Sequence, residues 1–127
     1  MEFRDDQAIY LQIADHFCEN ILLRKWLPGD RIPSVREMAV SIEVNPNTVM
    51  RTYAFLQEKG IIYNKRGIGY FVSLDGHEKT NILRKEDFVE NELPRVFKTM
   101  KSLNLSLEDI SKYYDQFAQN NLNDENE

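Results

Sequence analysis

The run Asn45-Pro46-Asn47-Thr48, followed by Met50 and Arg51, gathers side chains of distinct hydrogen-bonding type within two helical turns. A carboxamide sets a donor beside an acceptor and can pair with the edge of adenine. A hydroxyl bonds either way, and a guanidinium forks onto guanine or grips phosphate. The start of a helix adds backbone N–H groups that suit an anion. Arg36 precedes this run, and Ser34 stands with it as a candidate contact. Lys65-Arg66-Gly67 follows, two cations beside a glycine that permits close backbone approach. Each residue also has a plain structural reading. Asn45 is a good helix cap whatever the function, and Arg36, Arg51, Lys65 and Arg66 could be solvated charges. Their convergence on one motif favours contact with double-stranded DNA.

Three elements must position these groups. Ser34 and Glu37 have capping-box spacing, and Val35, Met38, Ala39 and Ile42 form one apolar face, which predicts a short helix ending near Ser41 or Ile42. The turn Glu43-Val44-Asn45 separates it from a second helix. There Pro46 occupies the first position, Val49, Tyr53 and Leu56 form the stripe, and Gly60 is the stop. Two short helices joined so closely make a helix-turn-helix. Ile61-Ile62-Tyr63 and Tyr70-Phe71-Val72 flank Asn64-Lys65-Arg66-Gly67-Ile68-Gly69, the pattern of a β-hairpin with a cationic tip, which reads as a wing.

Around this centre, Ile9, Ile13, Phe17 and Ile21 predict a first helix over about 7–25, ended by Pro28-Gly29. Residues 73–81 read as a polar linker. Val89, Leu93, Val96, Met100 and Leu103 share a helical face that Pro94 should kink or break. Ser106 and Asp109 open a last helix with the stripe Leu107, Ile110, Tyr114 and Phe117. The expected fold is mainly α with a small β-hairpin. It comprises a winged helix-turn-helix domain over 1–76, a two-helix C-terminal segment over 77–120, and a disordered tail over 121–127.

The net charge of −5 runs against duplex binding, but its distribution matters more. Residues 31–70 hold six bases against three acids, whereas residues 80–127 hold six against ten. A locally basic patch suffices to hold phosphates, with strongly salt-sensitive affinity. No apolar run reaches the roughly 18 residues of a membrane span. The single cysteine, Cys18, excludes an intramolecular disulfide, and a cytoplasmic location is expected. His16, His77 and Cys18 form no catalytic or metal-ligand pattern, so neither an enzyme nor a cofactor is expected. No ligand pocket is marked, and the existence of a small-molecule effector is left open.

The stretch from Pro28-Gly29-Asp30-Arg31-Ile32-Pro33-Ser34-Val35-Arg36-Glu37-Met38-Ala39 resembles the signature of the GntR family of bacterial regulators. The likeness continues through Val44-Asn45-Pro46-Asn47-Thr48-Val49, Tyr53, Leu56, Gly60-Ile61-Ile62 and Gly67-Ile68-Gly69-Tyr70-Phe71-Val72. The helix start and the short tail look like the YtrA-type subfamily. The resemblance implies a transcription regulator, expected to be a repressor. DNA contacts are implied at Arg36, at Asn45, Asn47 and Thr48, and around Arg66-Gly67. Several family branches carry an arginine where this chain has Met50, so Arg51, about 100° further round the helix, is better suited to phosphate than to a base. The resemblance also implies a homodimer through the C-terminal helices. Their apolar stripes have little core of their own to cover, and a twofold dimer suits a palindromic operator.

Overall fold

The computed structural model describes residues 1–125. Two groups of residues pack within themselves, Met1–Glu86 and Asp87–Glu127.

The first group begins with α1, Ile9–Leu22, which turns Ile13, Ala14, Phe17, Cys18 and Ile21 inward. The helix is shorter than its periodicity suggests because Arg24 takes a left-handed conformation (φ 61°) just beyond it. The capping box forms as expected at the start of α2, Val35–Ile42: the Glu37 N–H donates to Ser34 Oγ at 3.1 Å and the Ser34 N–H to the Glu37 carboxylate at 3.4 Å. Glu43 then turns left-handed (φ 56°), and the Val44 N–H closes back on the Ala39 carbonyl. This compact reversal lets α3, Pro46–Glu58, start at once. Gly60 (φ 74°) ends α3, and the Ile61 N–H reaches the Leu56 carbonyl, a closure that needs a left-handed residue at position 60.

Strands β1, Ile62–Lys65, and β2, Gly69–Val72, pair antiparallel with Tyr63 opposite Phe71 and Lys65 opposite Gly69. The Tyr63 and Phe71 rings stack across the pair at 5.6 Å. The segment before α2 adds to β2: the Ile32 N–H donates to the Tyr70 carbonyl and the Val72 N–H to the Asp30 carbonyl. That pairing ties the wing to the entrance of α2.

The core lies where α1, α2, α3 and the hairpin meet. Phe17, Tyr53 and Tyr70 form a chain of edge-to-face rings, at 5.4 Å and 4.8 Å between centroids, and Trp26 packs on Phe17 at 5.0 Å. Two polar groups are built into it with partners. The Thr52 hydroxyl donates to the Tyr10 carbonyl at 2.8 Å, and the Tyr53 hydroxyl donates to the Pro33 carbonyl.

The linker expected over 73–81 is corrected. Helix α4, Gly76–Asp87, begins inside it, with Gly76 and Thr80 buried and Leu83 packed on the core. Positions 76, 80 and 83 do share a helical face, but two of them are small or polar, so hydrophobic periodicity does not reveal them. Arg84 on α4 pairs with Asp15 on α1 at 2.6 Å. The expected boundary at residue 76 therefore gives way to one near residue 86.

In the second group, residues Phe88–Glu92 form a π-helical turn that leads into α5, Leu93–Ser102. Pro94 explains the wide turn. Its ring would clash with the carbonyl four residues back, and it brings no N–H to bond there. Asn104 (φ 59°) reverses the chain. Ser106 and Asp109 then cap α6, Leu107–Glu125, through reciprocal bonds of 3.1 Å and 2.9 Å. Hydrogen bonding of the carboxylate to the Ser106 N–H, and to the Ser106 side chain, holds the Asp109 carboxyl below its usual range. The tail expected to be disordered over 121–127 is helical as far as Glu125, and its last two positions lie outside the described residues.

Candidate nucleic-acid interface

The packing dictates which face of the helix-turn-helix is left outward. On α3, Val49, Thr52, Tyr53 and Leu56 are buried, so Asn47, Met50, Arg51 and Ala54 line the opposite, exposed side. Asn47 is exposed and Thr48 half-buried at the first turn. Asn45 is exposed, and its carboxamide oxygen accepts the Asn47 N–H at 2.8 Å. That bond takes one lone pair of the oxygen into the cap and leaves the other lone pair and the carboxamide nitrogen for a ligand.

Ser34 is half-buried with its hydroxyl oxygen in the capping box, while Arg36 is exposed on the first turn of α2. Arg51 is exposed but turned back: its guanidinium carbon sits 4.3 Å from the centre of the Tyr10 ring. A planar cation on an aromatic face is favourably held there, which agrees with a role away from the base edges. Lys65, Arg66 and Gly67 are all exposed at the hairpin tip. The tip closes with the Ile68 N–H on the Lys65 carbonyl, and Gly67 adopts φ 79°. The Lys65 ammonium lies 5.3 Å from the centre of the Phe71 ring. The helix-turn-helix thus exposes Arg36, Asn45, Asn47 and Arg51, with Ser34 and Thr48 half-buried, and the wing exposes Lys65, Arg66 and Gly67.

Sequence reasoning passed over Arg31. It is exposed and bridges to Phe71 on β2, so close to the wing that a Cβ built on Gly69 would stand 3.1 Å from its Nε. The signal was the arginine in the basic stretch, but only the pairing of Asp30–Ile32 with β2 puts it against Gly69 at the base of the wing. Cys18 is buried, and desolvation pushes its thiol up to about 12 despite the nearby Arg84 cation, so it stays a neutral core group. Among the described residues, no helix is long and apolar enough to cross a membrane and no group of acids, histidines or cysteines could hold a metal ion.

The sequence profile of bacterial regulatory proteins of the gntR family matches residues 9–72, the span of α1, the helix-turn-helix and the wing. The chain belongs to the GntR family. Two relatives from Bacillus subtilis (strain 168) extend the likeness beyond the wing. The HTH-type transcriptional regulator YhcF is 40% identical over 111 residues, covering 86% of this chain and 88% of its own. The HTH-type transcriptional repressor YtrA is 31% identical over 115 residues, covering 91% and 88%. A GntR-family regulator from Bacteroides thetaiotaomicron has a solved structure that matches with a TM-score of 0.76 and 47% identity, covering 90% of this chain and 99% of that one. The DNA-binding domain of AraR, solved in complex with operator ORR3, matches at a TM-score of 0.52 and 25% identity over 57% of this chain and 88% of that one. GntR proteins are DNA-binding transcription regulators of helix-turn-helix type, and the mainly helical fold with a two-stranded hairpin is theirs.

Proposed function

We propose that this GntR protein is a repressor that binds a palindromic operator as a homodimer. The first turn of α3 enters the major groove, and the wing lies against the adjacent minor groove or its phosphates. The observation that carries this reading is the face of α3. Asn47 points outward on the helix while the opposite face is filled by Val49, Tyr53 and Leu56. Arg36 reaches the same groove or its rim from α2. Arg66, Lys65 and Gly67 serve the wing, joined by Arg31. Asn45 caps α3 and Ser34 caps α2; with Thr48 they touch the backbone or base edges, and Arg51 grips phosphate. The relative named a repressor, similar over most of both chains, supports the sign of regulation.

The second copy is argued from the C-terminal group. Val96 and Phe97 on α5 and Leu107, Tyr113, Tyr114 and Phe117 on α6 are all exposed, and Met100 is the one large apolar residue buried there among the described residues. An apolar face of that extent suits a partner, and a twofold pair matches a palindrome. Light scattering of the full chain is expected to give twice the mass of one chain. Titration with duplexes selected from genomic fragments is expected to show specific binding that weakens steeply with salt, with a slope set by the phosphates contacted. Arg36→Ala should weaken that binding about tenfold or more with unchanged thermal unfolding. Equal affinity for selected and random duplex at moderate salt would remove the operator reading.

A further inference from the structure

We propose that Met50 reads the 5-methyl group of thymine and so sets a T preference at one position of the DNA site. The inference rests on the duplex-reading role of α3. Met50 stands one turn beyond Asn47 in the outward strip of that helix, with 49% of its surface exposed. A single exposed apolar residue is ordinary on a protein surface; what singles out Met50 is its place. Its neighbours leave the centre of the strip to it. Arg51 folds its guanidinium back over Tyr10, 4.3 Å from the ring centre, and Ala54, one turn further, ends at its Cβ. The core behind is complete without Met50, since Val49, Thr52, Tyr53 and Leu56 fill it.

The chemistry of the side chain then narrows the ligand. A thioether donates no hydrogen bond and accepts only weakly, so it gains little from the nitrogen and oxygen edges that distinguish the other bases. The apolar group that a base pair projects into the major groove is the thymine methyl. An unbranched, polarizable side chain can follow that methyl without demanding one fixed geometry. An arginine here would select guanine by its fork; methionine replaces that charge-based choice with a steric and apolar one.

The test uses the full chain. A site is first enriched from a pool of random duplexes, and each thymine in it is then replaced singly by deoxyuridine, which removes the methyl and leaves the pairing intact. The wild type is expected to lose about fourfold in affinity at the contacted thymine, the worth of one buried methyl-sized group. Met50→Ala should bind the thymine and deoxyuridine duplexes equally, with unchanged thermal unfolding because the side chain is exposed. Selection with Met50→Gln should move the same position toward adenine. Indifference of the wild type to deoxyuridine at every thymine would overturn the proposal, as would the same penalty persisting at the same position in Met50→Ala. Failure to enrich any site would remove the duplex-reading role of α3, and this inference with it.

Discussion

Tyr53→Phe deletes one oxygen and isolates the bond that holds the helix-turn-helix together at its hinge. The hydroxyl donates to the carbonyl of Pro33, the residue before the Ser34 cap, so it fastens α3 to the entrance of α2. The ring is fully buried between Phe17 and Tyr70, and its replacement by phenylalanine keeps both edge-to-face contacts. The loss is the net value of a buried hydrogen bond plus part of the cost of leaving a carbonyl short of its partner. Together these come to about 1–2 kcal/mol. With a urea slope of about 1–2 kcal/mol/M for a domain of this size, the midpoint should fall by roughly 1 M. Trp26, the only tryptophan in the chain, packs on Phe17, so its fluorescence reports this core directly. A pH series adds a signed check. Burial raises the pKa of Tyr53 above the ordinary tyrosine value, and Tyr70 and Glu37 raise it further. The folded protein therefore keeps a proton that the unfolded chain gives up. Stability from this source is full below about pH 10 and is lost as pH rises beyond it. The gap between wild type and Tyr53→Phe should accordingly narrow above that pH. Coincident midpoints at neutral pH, or a gap that widens in alkali, would refute the reasoning.

Three further outcomes follow from the same packing. Gly76→Ala should destabilise by about 1–3 kcal/mol in the same urea titration, because its Cβ would stand 3.0 Å from both the Ile61 carbonyl oxygen and Val72 Cγ1. A variant as stable as the wild type would show that α4 does not pack there. Cys18, its thiol raised from near 9 to about 12, should resist alkylation at neutral pH. Between those values the unfolded chain alone loses the proton, so stability should fall with rising pH by at most about 1.4 kcal/mol per unit. Cys18→Ala should show a shallower fall, and identical slopes would contradict the assignment. Arg84→Ala removes the 2.6 Å pair with Asp15, but both side chains are 37% exposed, so a loss below about 1 kcal/mol is expected, shrinking at high salt. A larger loss that is indifferent to salt would mean the arginine acts by packing.

Much of the helix-turn-helix was legible because its signals are local. Ser34 and Glu37 bond across three positions, Asn45 and Pro46 start a helix from adjacent residues, and Gly60 must be left-handed to end one. Such rules depend on a few consecutive dihedral angles and hold whatever surrounds them. The hairpin was legible for the same reason, with the turn Arg66-Gly67-Ile68 closing two short strands of β-branched and aromatic residues. Pro94 announced a break, and the π-helical turn ahead of it is the form that break takes.

What escaped depended on neighbours distant in sequence. Helix α4 looked like a linker because the residues it turns inward include Gly76 and Thr80, and nothing local says that Ile61 and Val72 wait beside them. Arg51 looked like any exposed base until α1 brought the Tyr10 ring beneath it. Arg31 joined the wing only through the pairing of Asp30–Ile32 with β2. The amino-acid sequence alone therefore determined where helices and turns begin and end and which family the chain resembles, since periodicity, caps and glycines act over a few residues. Tertiary structure decided which exposed groups share a surface, which cation is held back, and which polar stretch becomes a packed helix, because those outcomes rest on contacts that exist only once the core has closed.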